Sequence, residues 1–260
     1  MSQVKLSVGM RVFDQEVEME MTLPQGPTRL GTLLPVFRRV SDSLVELSAR
    51  RAEEQGRTVS CAKGCGACCR QIVPLAEVDA RAVARLVDEL PEPRQSEVRE
   101  RFARAKERLS EAGLLPRLQD RREFTAEEVK TFGLEYFRLG IPCPFLEDEC
   151  CSIHESRPLT CREFLVTSPA IHCADPKPGT VEGVELPSKV WLALARAGAG
   201  EMSGRRFVPW VPLVLALDWA EGNPDEGPEA PMEKLVERVF QELGRKPSAG
   251  ETPGAIPASE

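Results

Sequence analysis

The residues of this sequence with the clearest capacity for chemistry are its nine cysteines. They fall into two blocks, with four cysteines in residues 61–69 and five in residues 143–173. The first cysteine block reads Cys-x3-Cys-x2-Cys-Cys, and the second contains Cys-Pro-Phe-Leu and Cys-Cys-x-Ile-His-x2-Arg-Pro-x2-Cys-Arg. Such short spacings let the backbone curl so that neighbouring sulfurs face one ion or cluster. The two blocks therefore predict a site for zinc or an iron–sulfur cluster.

A bound cation would also offset the electrostatic cost of burying several thiolates together. Several thiolates can be buried together only if a cation compensates their charge, because an isolated buried charge is very unfavourable. Gly64 and Gly66 allow amide N–H groups to turn toward the sulfurs, which tunes a cluster. Adjacent cysteines tend to point apart in extended chain. Each Cys-Cys pair can thus serve two centres, or supply one ligand and one core residue.

The overall composition favours metal binding over disulfide cross-linking. The chain has 260 residues and an odd number of cysteines, whereas a secreted disulfide scaffold is small and usually has an even number. The N-terminus shows no basic segment followed by an apolar run and a cleavage site. We therefore expect a cytoplasmic protein, in which such thiols are more often metal-binding or catalytic than cross-linked.

Two kinds of partner are not expected. The formal net charge is −7, so the chain lacks the basic face that a general nucleic-acid binder needs. The most apolar stretch, residues 207–220, is interrupted by Pro209, Pro212 and Asp218 and is too short to span a bilayer. The sequence thus predicts neither a nucleic-acid partner nor a membrane span.

The segments around the cysteines predict a mainly α fold with a small N-terminal β-hairpin at residues 4–23. The predicted helices cover residues 32–55, 74–90, 93–113, 125–140, 188–199, 208–220 and 232–243. Gly56 ends the first helix, and Thr125-Ala126-Glu127-Glu128 forms a capping box. We expect these helices to pack around a metal-pinned, cysteine-rich loop core in a single domain, residues 1–244. Residues 245–260 read as a disordered tail.

The two blocks together resemble the YkgJ-like family of zinc- or iron-chelating cysteine-cluster proteins. Residues 61–70 and 143–173 carry this resemblance. The metal ligands that it implies are Cys61, Cys65, Cys68, Cys69, Cys143, Cys151 and Cys161, with Cys173 as a trailing member. Cys150 is an addition to the family pattern. The resemblance implies binding of metal or an iron–sulfur cluster, and a related cluster in flagellin lysine methylases implies a protein-modifying alternative with a protein partner.

Several alternatives stay open at this point. Cys61-x3-Cys65-x2-Cys68 also has the spacing of a radical S-adenosylmethionine enzyme, but that chemistry normally sits in a barrel of alternating strands and helices, whereas helices follow here. Eight or nine thiols exceed the four that one zinc ion or one cubane cluster needs. The surplus indicates a second metal, a larger cluster or structural cysteines, so that there are one or two centres.

Polar and aromatic residues near the blocks are interpreted as supporting groups. Arg157 is expected to support the cluster structurally, or to pair with Glu155 or Glu163. His154 and His172 are expected behind the ligands or on the surface, and Tyr136 in the core. The sequence thus predicts a metal-binding protein with a structural, redox or metal-handling role. Whether it is an enzyme is left open, and the alternative is a cluster-dependent protein-modifying enzyme.

Overall fold

The computed structural model describes residues 3–120, 126–177, 179–198, 208–225 and 229–245. Helix accounts for about 51% of the protein. The helices of the described residues, numbered α1–α10 in chain order, are Leu34–Glu54, Glu77–Asp88, Arg94–Glu111, Leu115–Gln119, Ala126–Arg138, Leu159–Arg162, Ala170–Ala174, Val190–Gly198, Ala216–Glu221 and Met232–Gly244. The strands β1–β8 are Gln3–Val12, Gln15–Pro24, Pro27–Thr28, Pro74–Leu75, Leu146–Glu147, Cys150–Cys151, Val211–Pro212 and Ala230–Pro231. The mainly helical prediction is confirmed.

Strands β1 and β2 form the predicted N-terminal hairpin. Their antiparallel register places apolar residues opposite one another, as in Val8↔Met19 and Met10↔Val17. Cross-strand apolar pairs of this kind stabilise a two-stranded ribbon. Toward its open end the hairpin joins the main core, where Leu23 is buried. The turn that joins the strands includes Phe13, which adopts a φ of 53°.

Helix α1 lies at the centre of the larger core. Its apolar stripe, which includes Phe37, Val40 and Leu44, is buried against residues of α8 and α10. Gln55 follows the helix, and Gly56 with a φ of 73° turns the chain away, which confirms the predicted end. A second core lies between α2, α3 and α9, and Phe145 of the second cysteine block is buried in it.

Two helix predictions were wrong in part. Pro74–Leu75 does not begin a helix but forms β4, which pairs with β7, and α2 begins at Glu77. The segment predicted as a helix over 208–220 is instead strand β7, a 3₁₀ turn and the short α9. A short apolar run gives the same pattern in a buried strand and in a buried helix, and here the pairing with β4 decides. Helix α4 was missed.

Other predictions fall partly outside the described residues. Thr125 of the predicted capping box lies outside them, and α5 begins at Ala126. The predicted tail lies outside them from residue 246 onward. The single domain over residues 1–244 stays a prediction. Among the described residues, no helix combines the length and the apolar character that crossing a bilayer requires.

Helix α6, which carries Cys161, is fixed at its N-terminus by a buried carboxylate. Asp79 of α2 is 0% exposed, and its Oδ2 accepts a hydrogen bond from the Leu159 amide at 3.3 Å. The residue before α6 is Pro158, whose side chain cannot cap a helix, so that the acceptor must come from elsewhere in the fold. Arg38 of α1 lies 3.5 Å from Asp79 Oδ1 and compensates its charge.

The C-terminal end of α6 is fixed by a second buried carboxylate. Glu163 is 7% exposed, and its Oε1 accepts hydrogen bonds from Ser41 Oγ at 3.0 Å and from the Val190 amide at 2.9 Å. Ser41 belongs to α1 and Val190 begins α8. These bonds connect α6 to two helices of the main core, and the position of Cys161 therefore depends on them.

Replacing Asp79 will change how stability depends on pH. Burial, opposed by Arg38 and the Leu159 amide, raises the pKa of Asp79 from 3.8 to about 6. This carboxyl therefore stabilises the fold fully below pH 3.8 and loses that contribution as pH rises through 6. A shift of this size corresponds to about 3 kcal/mol. In urea unfolding, the free energy of unfolding of the native chain, measured relative to that of Asp79→Asn, should fall by up to about 3 kcal/mol between pH 3.8 and pH 6.

The exposed turn residue Asp14 provides the control for this experiment. Asp14 is 84% exposed at its side chain, and Asp14→Asn should leave the pH dependence of unfolding close to that of the native chain. A pH-independent difference between the native chain and Asp79→Asn would contradict the assigned role of burial.

Candidate metal centre

Six cysteine thiols line one cavity, which we call the thiol cavity. It has a volume of about 130 Å³. Its cysteines are Cys65, Cys68, Cys69, Cys143, Cys151 and Cys161. They come from three places in the fold: the loop before β4, the segment around the β5–β6 hairpin, and helix α6. The structure thus brings together six of the eight cysteines proposed as ligands.

The first cysteine block reaches the cavity as a series of tight turns. The Cys65 amide donates to the Ala62 carbonyl at 3.1 Å, and the Cys69 amide donates to the Gly66 carbonyl at 3.0 Å. Gly64 has a φ of 94°, in the left-handed region that favours glycine. These turns curl the chain so that its thiols approach one another, and the prediction of a loop over residues 61–69 is confirmed.

The second cysteine block is joined directly to the first. The Cys143 amide donates to the Cys69 carbonyl at 2.7 Å. Arg70 binds Glu149 through two hydrogen bonds of 2.6 and 3.0 Å, a bidentate geometry that fixes the two segments relative to each other. Glu149 lies in the tight β5–β6 turn, where Asp148 and Glu149 have φ values of 47° and 58°. This turn brings Cys151 to the cavity.

Three cysteines lie off the cavity wall. Cys61 is exposed, and its Sγ accepts a hydrogen bond from the Val166 amide at 3.3 Å. Cys173 is buried in a small apolar cluster with Val166. Cys150, the addition to the family pattern, is exposed, with its Sγ 3.7 Å from the Gly64 carbonyl oxygen. All nine cysteines are free thiols.

Close packing of the thiols opposes their ionisation. Burial, together with negative charge at Cys151 and Cys68, raises the pKa of Cys143 to about 12. Burial also raises the pKa of Cys161 well above its ordinary value, again with contributions from neighbouring cysteines. A hydrogen bond to Cys69, followed by burial, raises the pKa of Cys68. Without a cation these thiols keep their protons, and a metal would displace them.

Arg157 lies on the cavity wall as a cation with no acidic partner. Within the described part of the chain its guanidinium forms no ion pair or hydrogen bond, and its Nε is buried. Pairing with Glu155 or Glu163, one of the two sequence expectations, is therefore not observed. The charge of Arg157 opposes the burial that raises the pKa of Cys151 and Cys161. That Arg157 supports a cluster stays a prediction.

The two histidines and Tyr136 lie in three different places. His154 lines the cavity, and its Nδ1 lies 3.6 Å from Glu155. His172 is directed elsewhere, with its Nδ1 2.7 Å from the Thr180 carbonyl oxygen. Tyr136 is buried in the main core, as expected. The cavity wall also includes Glu163, Lys189 and Trp191, which were not predicted as site residues.

The donor chemistry of the cavity fits a thiophilic metal, although its geometry is not that of a single-ion site. Across the described residues, no group of three or more His, Cys, Asp or Glu side chains converges on a point that could hold one metal ion. The thiols instead surround a space. Thiolates are the preferred ligands of zinc and iron–sulfur clusters, so the residue types fit both.

A comparison with known families bears directly on this arrangement. Residues 60–177 match the CxxCxxCC family model, described as "Putative zinc- or iron-chelating domain". The match is confined to this cysteine-rich segment. The resemblance found in the sequence is confirmed, and the match supports a metal-binding role for the CxxCxxCC domain. No curated protein and no solved structure matches the chain.

Gly66 should be essential to the contact between the two cysteine blocks. A Cβ at this position would lie 2.5 Å from the Glu149 carbonyl oxygen and 2.7 Å from a Leu146 methyl group. The backbone oxygen cannot move without opening the β5–β6 turn. We therefore expect Gly66→Ala to lower the free energy of unfolding by about 1–3 kcal/mol and to reduce the metal content.

Gly133 provides the matched control for Gly66. It lies within α5 with nothing within 4 Å of its would-be Cβ. Gly133→Ala should leave the metal content unchanged and stabilise the protein by up to about 1 kcal/mol, because alanine favours a helix. Chemical unfolding and metal analysis of both variants test this pair, and equal effects would contradict the role given to Gly66.

Proposed function

We propose that the protein binds an iron–sulfur cluster in the thiol cavity and that this centre has a redox or metal-handling role. The observation that carries the proposal is the convergence of six thiols from three segments on one cavity. The candidate ligands are the cysteines of this cavity, which come from both cysteine blocks: Cys65, Cys68, Cys69, Cys143, Cys151 and Cys161. A bound cluster would supply electron transfer or transferable metal, and these side chains would hold it.

The space between the thiols favours a cluster over a single zinc ion. Zinc draws four sulfurs to about 2.3 Å from the ion, which leaves no room between them. Here the cavity that the six cysteines line together with other residues has a volume of about 130 Å³, and no three donors of the described chain converge on one point. A polynuclear centre occupies such a space, whereas a single ion would leave most of it empty.

The exposure of the thiols favours a redox or metal-handling role over a purely structural one. All six cysteines of the cavity have intermediate exposure as whole residues, although the thiols of Cys143 and Cys161 are themselves buried, and Cys61 and Cys150 beside them are exposed. A structural site is closed, because nothing needs to reach the metal. A centre with partly exposed cysteines at its edge can exchange electrons or metal with a partner. The centre would also stabilise the fold by joining the two cysteine blocks.

Purification without oxygen tests the proposal directly. We expect brown protein with a broad visible charge-transfer band that bleaches on reduction, and with iron and acid-labile sulfide in similar amounts. Because Cys150 does not line the cavity, Cys150→Ser should leave the iron content unchanged. Colourless protein that contains zinc and no sulfide would contradict the cluster, and protein with neither metal would contradict metal binding altogether.

A second candidate function is modification of a protein partner by a cluster-dependent enzyme. It is favoured by the wall of the thiol cavity beyond the cysteines, where Glu163, Lys189 and Trp191 add carboxyl, amine and indole groups. Such groups are not needed to hold a metal and are typical of a small-molecule site. Calorimetry of the metal-loaded protein with S-adenosylmethionine tests this candidate. Saturable binding would support it, and absence of heat would count against both its methylase and its radical version.

A further inference from the structure

The N-terminal hairpin has an open strand edge at β1. Strands β1 and β2 form a sheet of two strands, so that each has one edge without a strand partner. Of the two, β2 lies beside α1 and shares a groove with it, whereas β1 packs mainly on β2. The ten residues of β1 pair with β2 without a bulge, and they contain no proline. A long, regular edge of this kind is a ready template for another strand.

The loop of the hairpin fixes which backbone groups of β1 point outward. Val12 and Gln15 flank the two-residue turn and pair with each other, and such a turn is closed by hydrogen bonding of the flanking pair. Hydrogen-bonded and non-hydrogen-bonded pairs alternate along an antiparallel ladder. The N–H and C=O groups that point away from β2 therefore belong to Gln3, Lys5, Ser7, Gly9 and Arg11. Among the described residues, no backbone hydrogen bond from outside the hairpin reaches these groups.

The apolar face of the hairpin is incompletely covered. Leu6, Val8 and Met10 of β1 lie on this face and are only partly buried against the main core. Val4, on the same face, is 37% exposed and is one of two large apolar residues exposed in the described chain. A two-stranded ribbon is marginally stable, and further strands that extend its apolar face stabilise it. A strand that adds to β1 should therefore present apolar side chains on this face.

The charges of the two strands decide which edge can pair with a second copy of the chain. The exposed face of β2 carries Glu16, Glu18 and Glu20. Two β2 strands paired about their centres would place glutamates opposite one another, which is destabilising. The exposed face of β1 carries only two charges, Lys5 and Arg11, with uncharged residues between them. The edge that can pair with its own copy is therefore β1.

One antiparallel register pairs the whole of β1 and opposes no like charges. With a two-fold axis through Ser7, Lys5 faces Gly9 of the second copy, and Arg11 faces Gln3 of the second copy. The hydrogen-bonded pairs of this register use the N–H and C=O groups that point away from β2. Moving the axis by one residue toward the loop would place Lys5 opposite Arg11, and moving it the other way would leave the loop end of β1 unpaired.

The same register extends the apolar face across the axis. It places Leu6 opposite Val8 of the second copy and Val4 opposite Met10 of the second copy. Directly opposed apolar side chains are the pairs that stabilise a sheet. The charged face and the apolar face of β1 thus agree on one partner strand and on one register.

We infer that the protein forms a two-fold dimer, in which the β1 strands of two copies pair antiparallel about Ser7 and join the hairpins into a four-stranded sheet. Such an interface uses the same surface of both copies and closes after two. Its main-chain hydrogen bonds are those of β-strand addition to a sheet edge. The inference is independent of the metal centre, because residues 1–60 contain no cysteine.

A lysine at the two-fold axis tests this interface. Ser7→Lys would place two lysines opposite one another in the dimer, whereas within one hairpin residue 7 pairs with Glu20 and accepts a positive charge. In sedimentation equilibrium the native chain should be a dimer, and Ser7→Lys should raise its dissociation constant about fivefold or more. Ser110→Lys, at an exposed position in the last turn of α3, should leave the dissociation constant unchanged.

The complementary variant Ser7→Glu makes the test specific to the axis. Each charged variant alone should dissociate, and a 1:1 mixture of the two should recover the dimer, because a lysine then faces a glutamate. A native chain that is monomeric at the highest soluble concentration would overturn the inference. A dimer that neither variant weakens, with both folded by circular dichroism, would overturn it as well.

The native chain decides the question even if a variant fails to fold. In the dimer the amides of Lys5, Ser7 and Gly9 are hydrogen-bonded across the axis, so that their hydrogen exchange should be slow in concentrated protein and should accelerate on dilution. The amides of Val8 and Met10, which bond to β2, should depend less on concentration and serve as the internal control. Fast exchange of the first three amides at every concentration would contradict the dimer.

Discussion

Gathered thiols can ionise together only when a cation compensates their charge, and the cysteine-rich segment is organised around this constraint. Burial, together with negative charge at the neighbouring Cys151 and Cys68, raises the pKa of Cys143 to about 12. The apo site is therefore stable only with its protons in place. A thiophilic metal replaces those protons and turns mutual repulsion into shared coordination. Two contacts hold the two cysteine blocks together for this replacement of protons by metal. They are the hydrogen bond from the Cys143 amide to the Cys69 carbonyl and the ion pair between Arg70 and Glu149.

The helices hold the cysteine-rich segment in position while a metal replaces the thiol protons. Helix α6 is only four residues long and cannot hold its own orientation. Asp79 fixes its first amide, and Glu163 connects its end to α1 and α8. Both carboxylates are buried, where hydrogen bonds to backbone amides are strong and their loss is expensive. The two helical cores therefore hold Cys161 in a fixed position, although it lies in a loop-rich segment.

The sequence predicted the site better than it predicted its supports. Short cysteine spacings and Gly64 were enough to indicate a curled loop of converging thiols, because turn geometry is local. The hairpin and α1 followed from regular apolar periodicity. The pairing of Pro74–Leu75 with Val211–Pro212 joins segments far apart in the chain, and no local pattern encodes it. The burial of Asp79 and Glu163 was not predicted, because a carboxylate in an amphipathic segment is normally interpreted as facing solvent.

Arg157 acts electrostatically on cysteines of both blocks. Its charge lowers the pKa of Cys68, against the hydrogen bond to Cys69 and the burial that both raise it. It likewise lowers the pKa of Cys151 and Cys161 against the effect of burial. Within the described chain its guanidinium has no acidic partner, so that its charge is not neutralised locally. Several thiolates around a metal would carry excess negative charge, and an unpaired cation on the cavity wall would compensate part of it.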